Sequence, residues 1–281
     1  MSLFINTPSF GETRDRELLK DSSTFIYKQT EQGPLHAHVF LPTNHQTDAA
    51  GTLLIFFHGG FWDMPASTQF ATQCIHFAAN NCVCIAAETR VSSRHQSTPV
   101  DAIEDAQSLI VSAKKNAQIL GIDPKKIVLV GAAGGAFLAL QAAMAPKVLK
   151  EDEVDARPAA LVLLSALVDT TPGTDYAARF SSPSEAKELS PSKLIRKKLA
   201  PMLFLHGKKD PITPLAAVVS FRRWMKWKNN RIELVEFEGA DHRFFNFTTS
   251  HIYHDLSIKA IERFLSELAL YNIQKETFQN G

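Results

Sequence analysis

Cysteine is scarce in this chain, with only Cys74, Cys82 and Cys84 among 281 residues, each beside apolar neighbours. So few thiols exclude a disulfide scaffold, and their spacing fits no zinc cage; they are expected as buried thiols in a reducing compartment. An excess of either charge is missing too. Lys and Arg (30) balance Asp and Glu (29), and a net charge of +1 with pI near 7.8 gives no electrostatic footprint for nucleic acid. The basic cluster at 193–198 is interleaved with Leu194, Ile195 and Leu199 and is expected as a solvated helix face. No run of about 18 apolar residues occurs, and residues 1–6 have neither the basic start nor the apolar length of a secretory signal. The expectation is a cytoplasmic protein with no membrane or nucleic-acid partner. Neither linker nor internal repeat is visible, and 45% hydrophobic content over 1–281 suits a single domain with a large core.

Short apolar runs alternate with helical patterns along the chain. Residues 24–28 and 36–41 suggest an antiparallel edge pair, and 53–57, 83–87, 127–130, 160–164, 202–206 and 232–237 six more strands. This is an α/β pattern, giving a mostly parallel eight-stranded sheet with helices on both faces. The longest helix is expected to open with Thr98 as cap and Pro99 in its first turn, and to stop at Gly121. Residues 167–200, with Pro172, Gly173, Pro183 and Pro191, form the longest irregular stretch.

Within that pattern, residues 127–140 read as an apolar strand, a glycine-framed turn and the start of a small-residue helix. In Gly-x-Ser-x-Gly a serine sits in a strained bend between strand and helix, and side chains at the flanking positions would clash. Gly131 and Gly135 occupy those flanks, which puts Ala133 at the serine position; a frame one residue earlier would place β-branched Val130 at a flank. Taken alone, a glycine-rich strand-to-helix turn without chemistry explains the segment equally well.

Three other loops decide between these readings. Asp210 lies in Gly207-Lys208-Lys209-Asp210-Pro211, just past the strand at 202–206. His242 follows Gly239-Ala240-Asp241, just past the strand at 232–237. The order nucleophile position, acid, base is that of α/β-hydrolases. Asp241 and Asp169 compete with Asp210 as the acid, but side chains of adjacent residues point apart, which counts against Asp241. Upstream, the strand at 53–57 ends in His58-Gly59-Gly60-Phe61-Trp62, where absent Cβ atoms would let the amides of Gly59 and Gly60, with that of Gly134, approach an oxyanion. His58 is expected to brace its own loop; His95 and His206 are read as structural, and His251 and His254 as surface residues rather than metal ligands. Phe61, Trp62, Phe244 and Phe245 are candidates to line a substrate pocket, with core packing as the alternative.

Together, His58-Gly59-Gly60, Glu88-Thr89-Arg90-Val91 with Ser93-Arg94-His95, Gly121-Ile122-Asp123-Pro124, the 131–135 turn, Asp210 and the 239–246 stretch resemble the α/β-hydrolase superfamily over about residues 20–270. The branch they resemble is the hormone-sensitive-lipase-like group of acetyl esterases and carboxylesterases. Ala133 in place of serine, Phe61 in place of a common third glycine and Thr89 in place of a common tyrosine depart from it. The resemblance implies a carboxylic ester hydrolase acting on a short acyl group, acylated carbohydrates among the candidate substrates, through a Ser-His-Asp triad, with no cofactor and no metal. It also implies a small lid formed by 1–22 and 167–200. Since Ala133 removes the attacking oxygen, this chain is expected to bind ester and barely turn it over. Two origins fit, an esterase deliberately inactivated to trap substrate or a natural noncatalytic ligand-binding relative. The aromatic pair Phe61-Trp62 also resembles kynurenine-formamidase-like enzymes, which keeps amide substrates open.

Overall fold

Alternate residues of each buried strand face opposite layers, so one sheet organises two cores. The computed structural model describes residues 13–145 and 157–272. After helix α1 (Thr13–Leu19), strands β1 (Ser23–Thr30) and β2 (Gly33–Phe40) form an antiparallel hairpin. There follow β3 (Gly51–Phe57), α2 (Ala71–Ala79), β4 (Val83–Ala87), the single turn α3 (Ser92–His95), α4 (Pro99–Lys115), β5 (Ile122–Ala132) and α5 (Gly134–Met144). The rest comprises β6 (Ala160–Leu164), α6 (Pro183–Glu188), β7 (Met202–Gly207), α7 (Leu215–Trp227), β8 (Ile232–Phe237) and α8 (His251–Glu267). The eight strands order as β1-β2-β4-β3-β5-β6-β7-β8, antiparallel from β1 to β4 and parallel thereafter. All eight expected strands are present.

Leu53, Ile55 and Phe57 of β3 join α4, α5 and α7 in one core, whereas Leu54 and Phe56 join α1, α2 and α8 in the other. Alternation with period two is thus converted into helices on both faces. Cys74, Cys82 and Cys84 are free and buried, and burial pushes their thiols up, Cys82 to about 12. They are packing residues rather than nucleophiles.

Two local expectations fail. The long helix α4 starts as expected, with Pro99 first and the Thr98 amide donating to Asp101 Oδ2 at 2.8 Å, but it ends at Lys115 with Asn116 as cap. Residues 116–121 are turns that tuck Ala117 and Leu120 into the core, which mimics helical periodicity in the sequence. The basic cluster is no helix face: a single 3-10 turn at Pro191–Lys193 gives way to irregular chain, with Lys198 at φ 61°. Among the described residues no helix is long and apolar enough to cross a membrane.

Candidate active site

Loops leaving the carboxyl ends of β3, β5, β7 and β8 meet above the parallel part of the sheet, where open α/β sheets form their crevices. The turn after β5 is as tight as its glycines suggest. A Cβ on Gly131 would lie 2.4 Å from the Gly135 carbonyl oxygen, and one on Gly135 would lie 2.1 Å from that of Phe57. Between them Ala133 adopts φ 49°, ψ −112°, a conformation that costs a side-chain-bearing residue about 1–3 kcal/mol. Its amide donates to Leu164 O at 3.1 Å and its carbonyl accepts from Phe137 N at 3.2 Å, fixing the bend between sheet and α5. A Cβ on Gly59 would sit 3.7 Å from the Ala133 Cβ, so the loop after β3 lies directly against this methyl group.

Asp210 and His242 are brought together from the loops after β7 and β8. His242 Nδ1 lies 2.8 and 3.0 Å from the two Asp210 carboxylate oxygens. The same carboxylate accepts the amides of Ile212 and Thr213, each at 2.9 Å, and the Thr213 hydroxyl at 2.8 Å. Burial alone would push the Asp210 carboxyl up. Hydrogen bonds from His242 and Thr213, with the charge of His242, outweigh it and hold the group well below the usual carboxylate range. In the neutral ring an ionised Asp210 favours the tautomer with the proton on Nδ1, whose Nε2 then carries the open lone pair. The Ser165 hydroxyl donates to the His242 carbonyl at 2.9 Å, and its neighbour Leu164 holds the Ala133 amide, so β6 indexes the histidine loop to the bend.

The loop after β3 is held in an uncommon shape, with positive φ at three successive residues, Gly60 (95°), Phe61 (49°) and Trp62 (66°). A Cβ on Gly134 would lie 3.0 Å from Phe61 Cα and 3.2 Å from its nitrogen, which sets the Phe61 and Gly134 backbones side by side. The Gly59 amide, however, is occupied: it donates to Gln69 Oε1 at 2.7 Å. Among the described residues no acceptor engages the amides of Gly60, Phe61 or Gly134. The available donor set is therefore Gly60, Phe61 and Gly134 rather than the expected Gly59, Gly60 and Gly134.

Phe61 also links this loop to the base. Its ring stacks on His242 (centroids 5.9 Å, 19°) and on Tyr176 (4.8 Å, 22°). Tyr176 belongs to the 167–200 stretch and donates its hydroxyl to Ile212 O at 2.6 Å, beside Asp210. Three residues on, Arg179 pairs with Asp63 and donates to Phe61 O at 3.3 Å. The irregular stretch therefore clamps both the β3 loop and the acid loop.

The family description alpha/beta hydrolase fold matches residues 54–246. The chain belongs to that family. Among curated proteins, none matches. Among solved structures, esterase 2 of Thermogutta terrifontis phosphoramylated by tabun superposes with a TM-score of 0.86 at 30% identity, covering 91% of this chain and 98% of that one. The native form of the same planctomycete thermophilic esterase gives 0.86 at 30% over 92% and 96%, and its propionate-bound form 0.85 at 30% over 92% and 98%. The α/β hydrolase described here is therefore homologous to esterases, proteins that act on ester bonds.

Several expected site residues in this α/β hydrolase have other duties. Phe244 and Phe245 are almost wholly buried, packed among Phe237, Tyr253 and Phe70, and Trp62 is buried against Phe137 and Phe180. Of the four aromatic candidates, Phe61 alone touches the imidazole. Asp169 bonds the Thr171 amide and the Ser190 hydroxyl, and Asp241 bonds the Arg243 amide, so neither reaches the ring. His58 braces its loop through Nδ1 to Gly59 O at 2.6 Å, and burial pushes it below its ordinary value despite that bond. His206 is structural, donating to Thr213 O at 2.7 Å, and His95 bonds the Val91 backbone. His254, expected at the surface, is buried, bonded to Asp255 and set edge-on to Phe247, while His251 is exposed and stacks on that same ring. Arg90 is locked to Asp105 and Asp101, and Glu88 to His36 and His38, so both brace the fold.

Sequence reasoning missed Gln69, Thr213, Tyr176 and Arg179. Thr213 had a signal, because Asp210-Pro211-Ile212-Thr213 is an Asp-initiated turn in which the carboxylate caps the amides two and three residues on. The others act across 10 to 118 residues of chain and carry no local pattern.

Proposed function

We propose that this is a carboxylesterase scaffold of the hormone-sensitive-lipase-like branch that binds a short-chain ester and holds it, because the nucleophile position carries Ala133. The observation that supports this best is the pairing of an intact His242–Asp210 couple with a strained bend that lacks only an oxygen atom. In a serine form, the hydroxyl oxygen would attack the ester carbonyl while His242 Nε2 takes its proton. The amides of Gly60, Phe61 and Gly134 would receive the oxyanion, and the imidazolium would return the proton to the leaving alcohol. Water would then release the acid by the same route. Phe61, stacked between His242 and Tyr176, narrows the space above the carbonyl, which suits a small acyl group; the propionate-bound relative agrees with this. In the chain as it stands no acyl-enzyme forms, and turnover falls by about 10⁶ relative to a serine form.

Ala133→Ser tests this. The serine form is expected to give a burst of p-nitrophenol from p-nitrophenyl acetate, with rates falling as the acyl chain lengthens, while the alanine form retains ester without cleaving it. Absence of a burst in the serine form, together with tight binding of a ligand other than an ester by the alanine form, would instead establish a noncatalytic binding protein. Preference of the serine form for an N-formyl aromatic amide would move the substrate class to amides.

A further inference from the structure

Helix α7 presents a face that the esterase reading does not use. Val218, Phe221 and Met225 pack it onto the sheet, while Trp224 and Trp227 are 49% and 66% exposed and Val219 is 42% exposed. Cations surround the indoles. Arg223 lies 5.9 Å from the Trp224 ring centroid and Lys228 lies 4.2 Å from that of Trp227. Arg222 and Lys226 complete the set, and residues 215–231 contain no Asp or Glu. A second segment adds charge at the same end. Asn230, buried just after α7, accepts the Leu199 amide at 3.0 Å and donates to Arg196 O at 2.7 Å, which ties exposed Lys197 and Lys198 to the end of the helix. Among the described residues no carboxylate pairs with Lys197, Lys198, Arg222, Arg223, Lys226 or Lys228.

We propose that this face docks on an anionic lipid bilayer surface, with the indoles at headgroup depth and the six cations against lipid phosphates. Half-exposed tryptophans beside lysine and arginine on one helix face are the composition of an interfacial contact, and four to eight clustered cations are what an anionic leaflet attracts. Flat stacking on nucleobases fits worse, because the two indoles stand at 85° to each other and cannot both lie along one strand. The face lies at the amino ends of β7 and β8, since Leu199 precedes β7 and Lys228 precedes β8, whereas Asp210 and His242 follow their carboxyl ends. A docked molecule would therefore keep its ester site turned to water. Such a surface needs no long apolar run, because it exists only once helix rotation and the 196–199 segment are in place.

The test is co-sedimentation of the full chain with phosphatidylcholine vesicles, with and without phosphatidylglycerol, read alongside tryptophan emission. Trp62 is buried, so a blue shift reports on Trp224 and Trp227. Binding to the anionic vesicles alone is expected, with a blue shift and release by salt. Lys226→Glu and Lys228→Glu should each weaken it by roughly fivefold or more, and Trp227→Ser should remove most of the shift. Circular dichroism and thermal unfolding of each variant check that it is folded. Equal binding to both vesicle types, no binding, or folded variants that bind like the parent would overturn the proposal. So would a dimer in the parent that Trp227→Ser splits into monomers, because the face would then join two copies of this chain.

Discussion

The acid–base half of the candidate site and its nucleophile half are held by opposite means. Around Asp210 every carboxylate oxygen is bonded, two amides and a hydroxyl cap it, and His242 completes the shell. Around Ala133 the backbone itself is strained, at Ala133, Phe61 and Trp62, and three neighbouring amides have no acceptor among the described residues. The clamp from 167–200 reaches both halves, but one is saturated with hydrogen bonds, whereas the other is over-determined by glycine contacts. Strain of this kind persists only where the surroundings leave the chain no alternative. The cradle therefore does not depend on a side-chain oxygen at 133, which supports the proposed binding without turnover. Were the cradle built from side chains, a change of side chain at 133 would let it relax.

The sharpest way to break this comparison is to disable the saturated half in an Ala133→Ser background. Asp210→Asn should preserve the hydrogen-bonded geometry but favour the wrong imidazole tautomer, lowering kcat by about 10⁴ with the fold unchanged. An Asp210→Asn enzyme within tenfold of its parent would mean that Asp210 only caps its own turn. The clamp comes next. Arg179→Ala removes the bonds to Asp63 and Phe61 O, so the Phe61 amide should lose its aim while the pocket keeps its walls. In the serine form kcat is expected to fall roughly tenfold, as for a weakened rather than deleted oxyanion donor, with KM little changed. A rise in KM at constant kcat would instead make Arg179 a substrate contact.

Most of the scaffold was legible in the sequence, because burial on both faces leaves near-continuous apolar runs and the strand ends carry punctuating glycines. Asp210 was legible because it follows such a run within a few residues, and His242 because it follows the alternating strand Ile232–Phe237. The free amides beside Ala133 were only partly so. Gly59 has the same absent Cβ as Gly60, and nothing near it in sequence tells that Gln69, ten residues on, will take its amide. Phe244 and Phe245 misled for a related reason: an aromatic pair just after His242 looks the same in sequence whether it faces a ligand or the core. The helix expected to reach Gly121 failed because turns can bury Ala117 and Leu120 at helical spacing without being helical.

A smaller effect separates bracing carboxylates from the site. Burial would raise Glu88, but hydrogen bonds and charge from His36 and His38 bring it from 4.5 down to about 2. A depressed folded-state value means that the stabilisation is complete above the unfolded value near 4.5 and is lost as pH falls toward 2. Thermal midpoints measured between pH 6 and roughly pH 2.5 should therefore drop less in Glu88→Gln than in the parent, from a lower starting point. Parallel curves would show that the carboxylate gains nothing from the two imidazoles.

The least disruptive test acts on the strain itself. Ala133→Gly removes the steric penalty at φ 49°, ψ −112°, about 1–3 kcal/mol, against a loss of about 0.5–1 kcal/mol to the greater freedom of the unfolded chain. A net stabilisation between zero and about 2.5 kcal/mol is expected, seen as a higher urea midpoint at unchanged slope. Ala139→Gly, one and a half turns into α5 where the backbone is ordinary helix, should move the midpoint the other way by a similar amount. Opposite signs at two buried alanines of similar size would locate the stored energy in the bend. Equal losses at both would mean that the bend is relaxed and stores no strain.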